Sequence, residues 1–499
     1  MQKFWSSKWI FILAAIWSAA WLGNLWRFPY QVYDNGGAAF IIAYLVILFI
    51  LWFGLLIWEI ALWQYTWKWA PWAIWTVNKY LKWIWWAGIF TAWVILSYYV
   101  VVIWWWIDYL WYSLVSLFTG TTLPWISNSS DFFFNNVLNL TDGISNMWWV
   151  SIAVLIWTIV SWILIYFSTF KSVNSVSKVI LFTATIPFIS LAILAIRAFT
   201  LPWAEQWLAF LVNIDMDKLF SLSTWIAAAW QIFFTLSLAM GIMIAYGALK
   251  RKDSEIVQSV ILVAIWNTII SFLSAIAVFG TLGYLANVKQ VAITEVVKWW
   301  PSLAFVTLPE TITLLPSLQS LFAVIFFATI FLLAIDSAIS LIEAVSVAIR
   351  NKFKKLRIEI LTLIIVVILW LISLIYTFSN GLYVLDIVDH FVTSYSMLFI
   401  WILEAIILLI MWKKLSAFID ERNSCKLKFI LNKYYFLVSW LIAFIVLTYL
   451  LYKNIASWLN YEWYDKSYLI FYWVYVIIWI YTLSVLLNLI DRSEEKDNN

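Results

Sequence analysis

Apolar runs of about 20 residues, each long enough to cross a bilayer core about 30 Å thick as a helix, recur along the whole 499-residue chain. They lie at roughly 9–33, 38–65, 84–113, 149–166 and 177–198, then at roughly 222–249, 256–287, 318–349, 358–377 and 383–412, with two more at roughly 432–452 and 468–490. Hydrocarbon offers no water to backbone N–H and C=O groups, so such segments fold as helices that satisfy those groups internally. The pattern predicts an all-α integral membrane protein with twelve transmembrane helices in a single domain over 1–499. Composition agrees, with 65% hydrophobic and 11% charged residues, against about 25% charged in ordinary soluble domains. The lone cysteine, Cys425, and the lone histidine, His390, argue against a disulfide framework and a multi-histidine metal site. No span holds a phosphate loop or a nucleophile elbow, so an enzyme is not expected.

Basic residues gather at Lys3 and Lys8, Lys79 and Lys82, Lys171 and Lys178, Lys250 to Lys252, and Arg350 to Arg357. Counted across the spans, these fall on one side. By the positive-inside rule that side is cytoplasmic, which predicts a multi-pass protein of the plasma (inner) membrane with both termini inside and the loop 119–147 outside. The first span holds Asn24 and Arg27 and runs into a second span, so it reads as a retained helix rather than a cleaved signal. The net charge of +4 points to no nucleic-acid partner; lipid and a small molecule are the expected partners, with the oligomeric state open.

Polar residues inside spans are costly and usually face a pathway. Span 1 holds Ser18, Asn24 and Arg27 around a patch of small residues, and span 6 holds Gln231, Thr235 and Ser237 with Gly241 behind. Two interruptible spans at corresponding places in successive sets of five point to an inverted-repeat transporter, with repeat one at roughly 9–198, repeat two at roughly 222–412 and additional helices at roughly 432–490. The plainer reading is that Asn24, Thr235 and Ser237 only bond neighbouring helices.

Span 1, from Gly23-Asn24-Leu25-Trp26-Arg27-Phe28-Pro29-Tyr30 to Asp34-Asn35-Gly36-Gly37-Ala38-Ala39-Phe40, resembles the signature of the neurotransmitter:sodium symporter family. Span 6 around Trp225 to Leu238, the stretch Leu282 to Ala286, and Leu333-Ala334-Ile335-Asp336-Ser337 resemble it too. The resemblance implies sodium-coupled symport of a neutral, aliphatic or aromatic, amino acid by alternating access. It implies one sodium among Ala19, Asn24, Thr235 and Asn267, and a second among Trp17, Ala20, Leu333, Asp336 and Ser337. The substrate would meet Ser18, Ala19, Leu22, Gly23, Ile95, Tyr99, Phe234, Thr235, Ser237, Met240, Ser337 and Leu341. Tyr99 and Phe234 would form the lid, Arg27 and Asp389 the outer gate, and Trp5 part of the inner gate, where Gln2, Leu249 and Asn351 depart from the family's pattern. Monoamine members carry an Asp where this chain has Trp21. Chloride dependence is implied by Tyr44, Gln231, Thr235, Asn267 and Ser271, although Ser271 could equally bond back to Asn267 on its own helix. A non-transporting or channel-like protein of this fold and a proton-coupled carrier stand as alternatives.

The chain has 40 Trp and 12 Gly, whereas usual composition gives roughly 35 Gly at this length. Trp stands where the family has Gly at Trp17, Trp21, Trp52, Trp63, Trp67, Trp69, Trp230, Trp299 and Trp300, while Trp5, Trp26 and Trp225 match it. An indole cannot replace a hydrogen where backbones must approach closely. The economical explanation is that UGA codons read as glycine in the cell are translated here as tryptophan; a truly tryptophan-rich or defunct transporter is the alternative.

Overall fold

The computed structural model describes residues 8–19, 22–25, 27–66, 80–147, 150, 152–171, 173–183, 185–236, 242, 256–297, 301–352, 356–422, 433–457, 461 and 464–497. Among these residues the chain is helical without a strand, and two isolated bridges join Gly37 to Ile214 and Val150 to Phe378. Nine helices of the described residues are long and apolar enough to cross a membrane: Ala38–Thr66, Lys82–Thr119, Ser175–Thr200, Val257–Lys289, Gln319–Arg350, Ile358–Thr377, Gly381–Glu421, Lys433–Ala456 and Lys466–Ile490. Three further expected spans correspond to shorter helices. Span 1 comprises Lys8–Ala19, Leu22–Leu25 and Arg27–Asp34, span 4 is Ile152–Thr169, and the described helix of span 6 is Leu222–Thr235.

Lys82–Thr119 is the central pillar, with 89% of its apolar window buried, and it packs along the Gln319–Lys352 helix. Lys466–Ile490, with 22% of its window buried, turns most of its apolar surface outward, where lipid is the natural solvent for such side chains. The pillar ends at Gly120, whose φ of +70° carries the left-handed cap that lets its N–H reach the Ser116 carbonyl, the usual glycine termination of a helix.

Two other turns show what residue type the backbone asks for. Gly37 caps the Ala38 helix at φ +60°, and a Cβ there would lie 2.3 Å from the Phe210 carbonyl oxygen, so only glycine fits. Trp203 sits at φ +63° before the Ala204–Val212 helix, a conformation that costs an L-residue with a Cβ about 1–2 kcal/mol. The indole N–H groups of Trp58, Trp85, Trp93, Trp104, Trp207, Trp370 and Trp440 are buried with no acceptor among the described residues. The rings of Trp58 and Trp440 stand nearly perpendicular, at 81°, with centroids 3.7 Å apart, closer than the roughly 4.5–7 Å of ordinary aromatic pairs.

Candidate functional site

The Leu222–Thr235 helix ends among buried residues. The last carbonyls of a helix lack intrahelical donors, and its C-terminus carries a partial negative charge. At this end the Thr235 hydroxyl donates toward the Ala19 carbonyl of span 1 at 3.2 Å. The same hydroxyl lies 2.5 Å from Asn24 Oδ1 and 3.2 Å from Asn267 Oδ1, and the Asn24 amide donates to Asn267 Oδ1 at 2.7 Å. One hydroxyl proton cannot serve three oxygens, so several oxygen atoms gather beside the negative end of the Leu222–Thr235 helix. An oxygen-only set of this kind suits a hard cation. All four residues expected at the first sodium site, Ala19, Asn24, Thr235 and Asn267, are therefore together.

Of the second set, Leu333, Asp336 and Ser337 are buried on successive turns of Gln319–Lys352. The Ser337 hydroxyl donates to the Leu333 carbonyl at 3.1 Å. Asp336 Oδ1 accepts from Thr183 at 2.6 Å, while its buried Oδ2 has no hydrogen-bond partner among the described residues. A carboxylate oxygen without a donor in an apolar surround is costly, and the set fits a cation that completes it. The Lys8–Ala19 helix, which carries Trp17, packs against Gln319–Lys352. Ala20 lies outside the described residues and so does the Trp17 side chain.

A cavity of about 310 Å³ is lined by Gly23, Ile95, Tyr99 and Phe234 together with both expected outer-gate residues, Arg27 and Asp389. Ser18, Ala19, Thr235, Ser337 and Leu341 are buried and are not among its lining residues, although Tyr99 stands beside Ser337. The Phe234 ring lies 3.9 Å from where a Gly23 Cβ would stand, which puts the expected lid residue beside the expected substrate-binding backbone. Sequence reasoning did not single out Tyr98 and Tyr461, which also line the cavity, and it noted Trp230, another lining residue, only as a tryptophan where the family has glycine. The only hint for Tyr98 was its place beside Tyr99. His390, noted only as the lone histidine, lines it too and stacks on Tyr461 with centroids 3.7 Å apart.

The outer gate differs from the expected pairing. Asp389 Oδ1 accepts from the Tyr98 hydroxyl at 2.5 Å rather than forming an ion pair with Arg27. Arg27 lies over the faces of Phe234 and Trp230, 4.9 Å and 5.6 Å from the ring centroids, and the two charges face each other across the cavity. Cation–π contact with two rings holds the guanidinium away from its expected partner.

Around the expected anion site, the Tyr44 hydroxyl faces Thr268 and Ser271 without meeting hydrogen-bond geometry. Asn267 Nδ2 and Gln231 Oε1 are buried without partners among the described residues. The Ser271 hydroxyl donates to the Asn267 carbonyl at 3.0 Å, the ordinary back-bond of a helix serine. Donors for an anion here are thus the Tyr44 hydroxyl and the Asn267 amide. Trp5, Trp21, Ser237 and Met240 lie outside the described residues, as does the Leu22 side chain.

The sequence profile of the sodium:neurotransmitter symporter family matches residues 2–128 and 118–491. An uncharacterized sodium-dependent transporter of Methanocaldococcus jannaschii is 36% identical over 438 residues, covering 85% of this chain and 86% of that protein. The sodium- and chloride-dependent GABA transporter 2 of Mus musculus is 31% identical over 440 residues, covering 81% and 72%. The sodium-dependent dopamine transporter of Bos taurus is 33% identical over 442 residues, covering 81% and 62%. With an oxygen cluster where spans 1, 6 and 7 meet and a match across nearly the whole chain, the protein is a multi-pass membrane protein that belongs to the sodium:neurotransmitter symporter family.

Proposed function

We propose that the protein carries a neutral amino acid, aliphatic or aromatic, into the cell together with sodium by alternating access. The observation that carries this reading is the convergence of Ala19, Asn24, Thr235 and Asn267 at the end of the Leu222–Thr235 helix. Sodium, when bound, would supply positive charge beside that helix end and the Asp336 carboxylate. Asn24 and Asn267 bring their amide oxygens to the Thr235 hydroxyl, and Thr235 ties span 6 to Ala19 of span 1. The backbone amides of Leu22 and Gly23 and the Tyr99 hydroxyl receive the substrate carboxylate. The carbonyls of Ala19, Phe234 and Thr235, with Ser237, receive the amine. Ser18, Ile95, Phe234, Met240, Ser337 and Leu341 surround the side chain in a mostly apolar lining. An amine without a carboxylate lacks a counter-ion here, because Trp21 stands where monoamine members carry an Asp.

Tyr99 and Phe234 close over the substrate, and Arg27 and Asp389 pair above them in the closed state. Trp5 belongs to the inner gate. Tyr44, Gln231, Thr235, Asn267 and Ser271 surround chloride, whose donors are the unpartnered Asn267 amide and the Tyr44 hydroxyl. The architecture is twelve helices with a five-plus-five inverted repeat in one domain over 1–499, in the plasma membrane, with both termini cytoplasmic.

The same reading includes glycine at many tryptophan codons. Trp203 at positive φ and the buried, unpartnered indole N–H groups support it. A buried donor left unmade costs about 1–3 kcal/mol, so seven of them rival the roughly 5–15 kcal/mol that keeps a typical protein folded.

Uptake of radiolabelled amino acids into proteoliposomes, with sodium and proton gradients imposed separately and Asn24→Ala and Asp336→Ala as controls, tests the function. Accumulation that needs sodium and is lost in both variants is expected. Accumulation driven by protons alone, or equilibration without accumulation, refutes the symport reading.

A further inference from the structure

Thr183 lies within span 5, and it is buried beside Asp336 although 153 positions separate them. Its hydroxyl has two acceptors, Asp336 Oδ1 at 2.6 Å and the Val179 carbonyl at 3.1 Å. The shorter contact, to a carboxylate, is the charge-assisted one and takes the proton. That bond uses one Asp336 oxygen and leaves buried Oδ2 with no partner among the described residues. The Val173–Thr183 helix also packs against both Lys8–Ala19 and Gln319–Lys352, the helices that carry Trp17, Leu333, Asp336 and Ser337.

We propose that Thr183 is a positioning residue for the second sodium site: its hydroxyl fixes one Asp336 oxygen so that the other is held ready for the cation. The inference rests on the sodium reading of Asp336. A carboxylate has two oxygens and a rotatable Cβ–Cγ bond, so without an anchor it spreads over several orientations, and the ion must then bear the cost of ordering it. Thr183 removes that cost in advance, and it links span 5 to the ion site.

The test uses the purified full chain and two readouts apart from transport: equilibrium radiosodium binding and the sodium dependence of thermal stabilisation in detergent. Thr183→Val keeps the shape and removes the donor; it should raise the half-saturating sodium concentration about tenfold, the loss of one charge-assisted bond, with the substrate half-saturation at excess sodium nearly unchanged. Thr183→Ser should restore wild-type sodium dependence. Thr183→Ala provides a smaller side chain should the valine variant fold poorly, and it should behave as the valine variant does. Unchanged or tighter sodium binding in Thr183→Val and Thr183→Ala, with binding weakened in Asp336→Asn, overturns the inference and leaves the sodium reading standing. Unchanged sodium binding in Asp336→Asn overturns the sodium reading itself.

Discussion

Thr235→Val is the sharpest perturbation of the oxygen cluster, because valine matches threonine in shape and removes only the hydroxyl. In the sodium-bound protein the change removes one oxygen ligand, an interaction with a charge worth about 1.5–3 kcal/mol. In the sodium-free protein the hydroxyl donates within the cluster formed by Asn24 Oδ1, Asn267 Oδ1 and the Ala19 carbonyl, an ordinary bond worth about 0.5–1.5 kcal/mol. Sodium affinity falls by the difference, about 1–2 kcal/mol, which is roughly a five- to thirtyfold rise in half-saturating sodium. Stability without sodium falls as well, since Asn24 Oδ1 loses its 2.5 Å donor in a fully buried position. A sodium titration of thermal stability on the purified protein, paired with initial uptake rates, reads both effects. An unchanged sodium half-saturation would show that Thr235 does no more than join two helices, and the cluster could not then be read as an ion site.

Chloride offers a second check: replacing it with gluconate should lower sodium-driven uptake strongly, and Ser271→Glu should make uptake independent of the anion, whereas full uptake in gluconate would show that the Tyr44 and Asn267 donors hold no anion. Peptide mass spectrometry of the protein from its own cells should find glycine at Trp17, Trp21, Trp63, Trp69 and Trp203 and tryptophan at Trp26 and Trp225; tryptophan at all seven ends the recoding idea. Trp230→Gly removes one of the two rings over Arg27, so the guanidinium should shift toward Asp389 and close the outer gate. Labelling of a cysteine introduced at Val102, which lines the cavity, by a membrane-impermeant thiol reagent should then slow, and equal labelling rates refute the gate mechanism.

The amino-acid sequence alone determined the membrane class, the all-helical build and the candidate polar residues, because these follow from local quantities. Twenty apolar residues in a row must satisfy their own backbone, and a buried Asn24, Thr235 or Asp336 stands out against such a background whatever its partners. The glycine deficit was also legible, since composition is independent of folding, but the glycine-like φ of Trp203 was not, because a turn's handedness depends on what it joins. Tertiary structure alone decided which atoms meet. Asn24 and Asn267 are 243 positions apart, and only the packing of span 7 against the first span joins their amides. Chain folding likewise put Tyr98 rather than Arg27 on Asp389, and brought Thr183 to Asp336. For Ser271, the sequence left an anion and a back-bond as equal acceptors for one proton, and in the folded helix the Asn267 carbonyl, one turn away, receives it. Pairings of this kind arise from the geometry of helices far apart in the chain, and no period or spacing along a single helix encodes them.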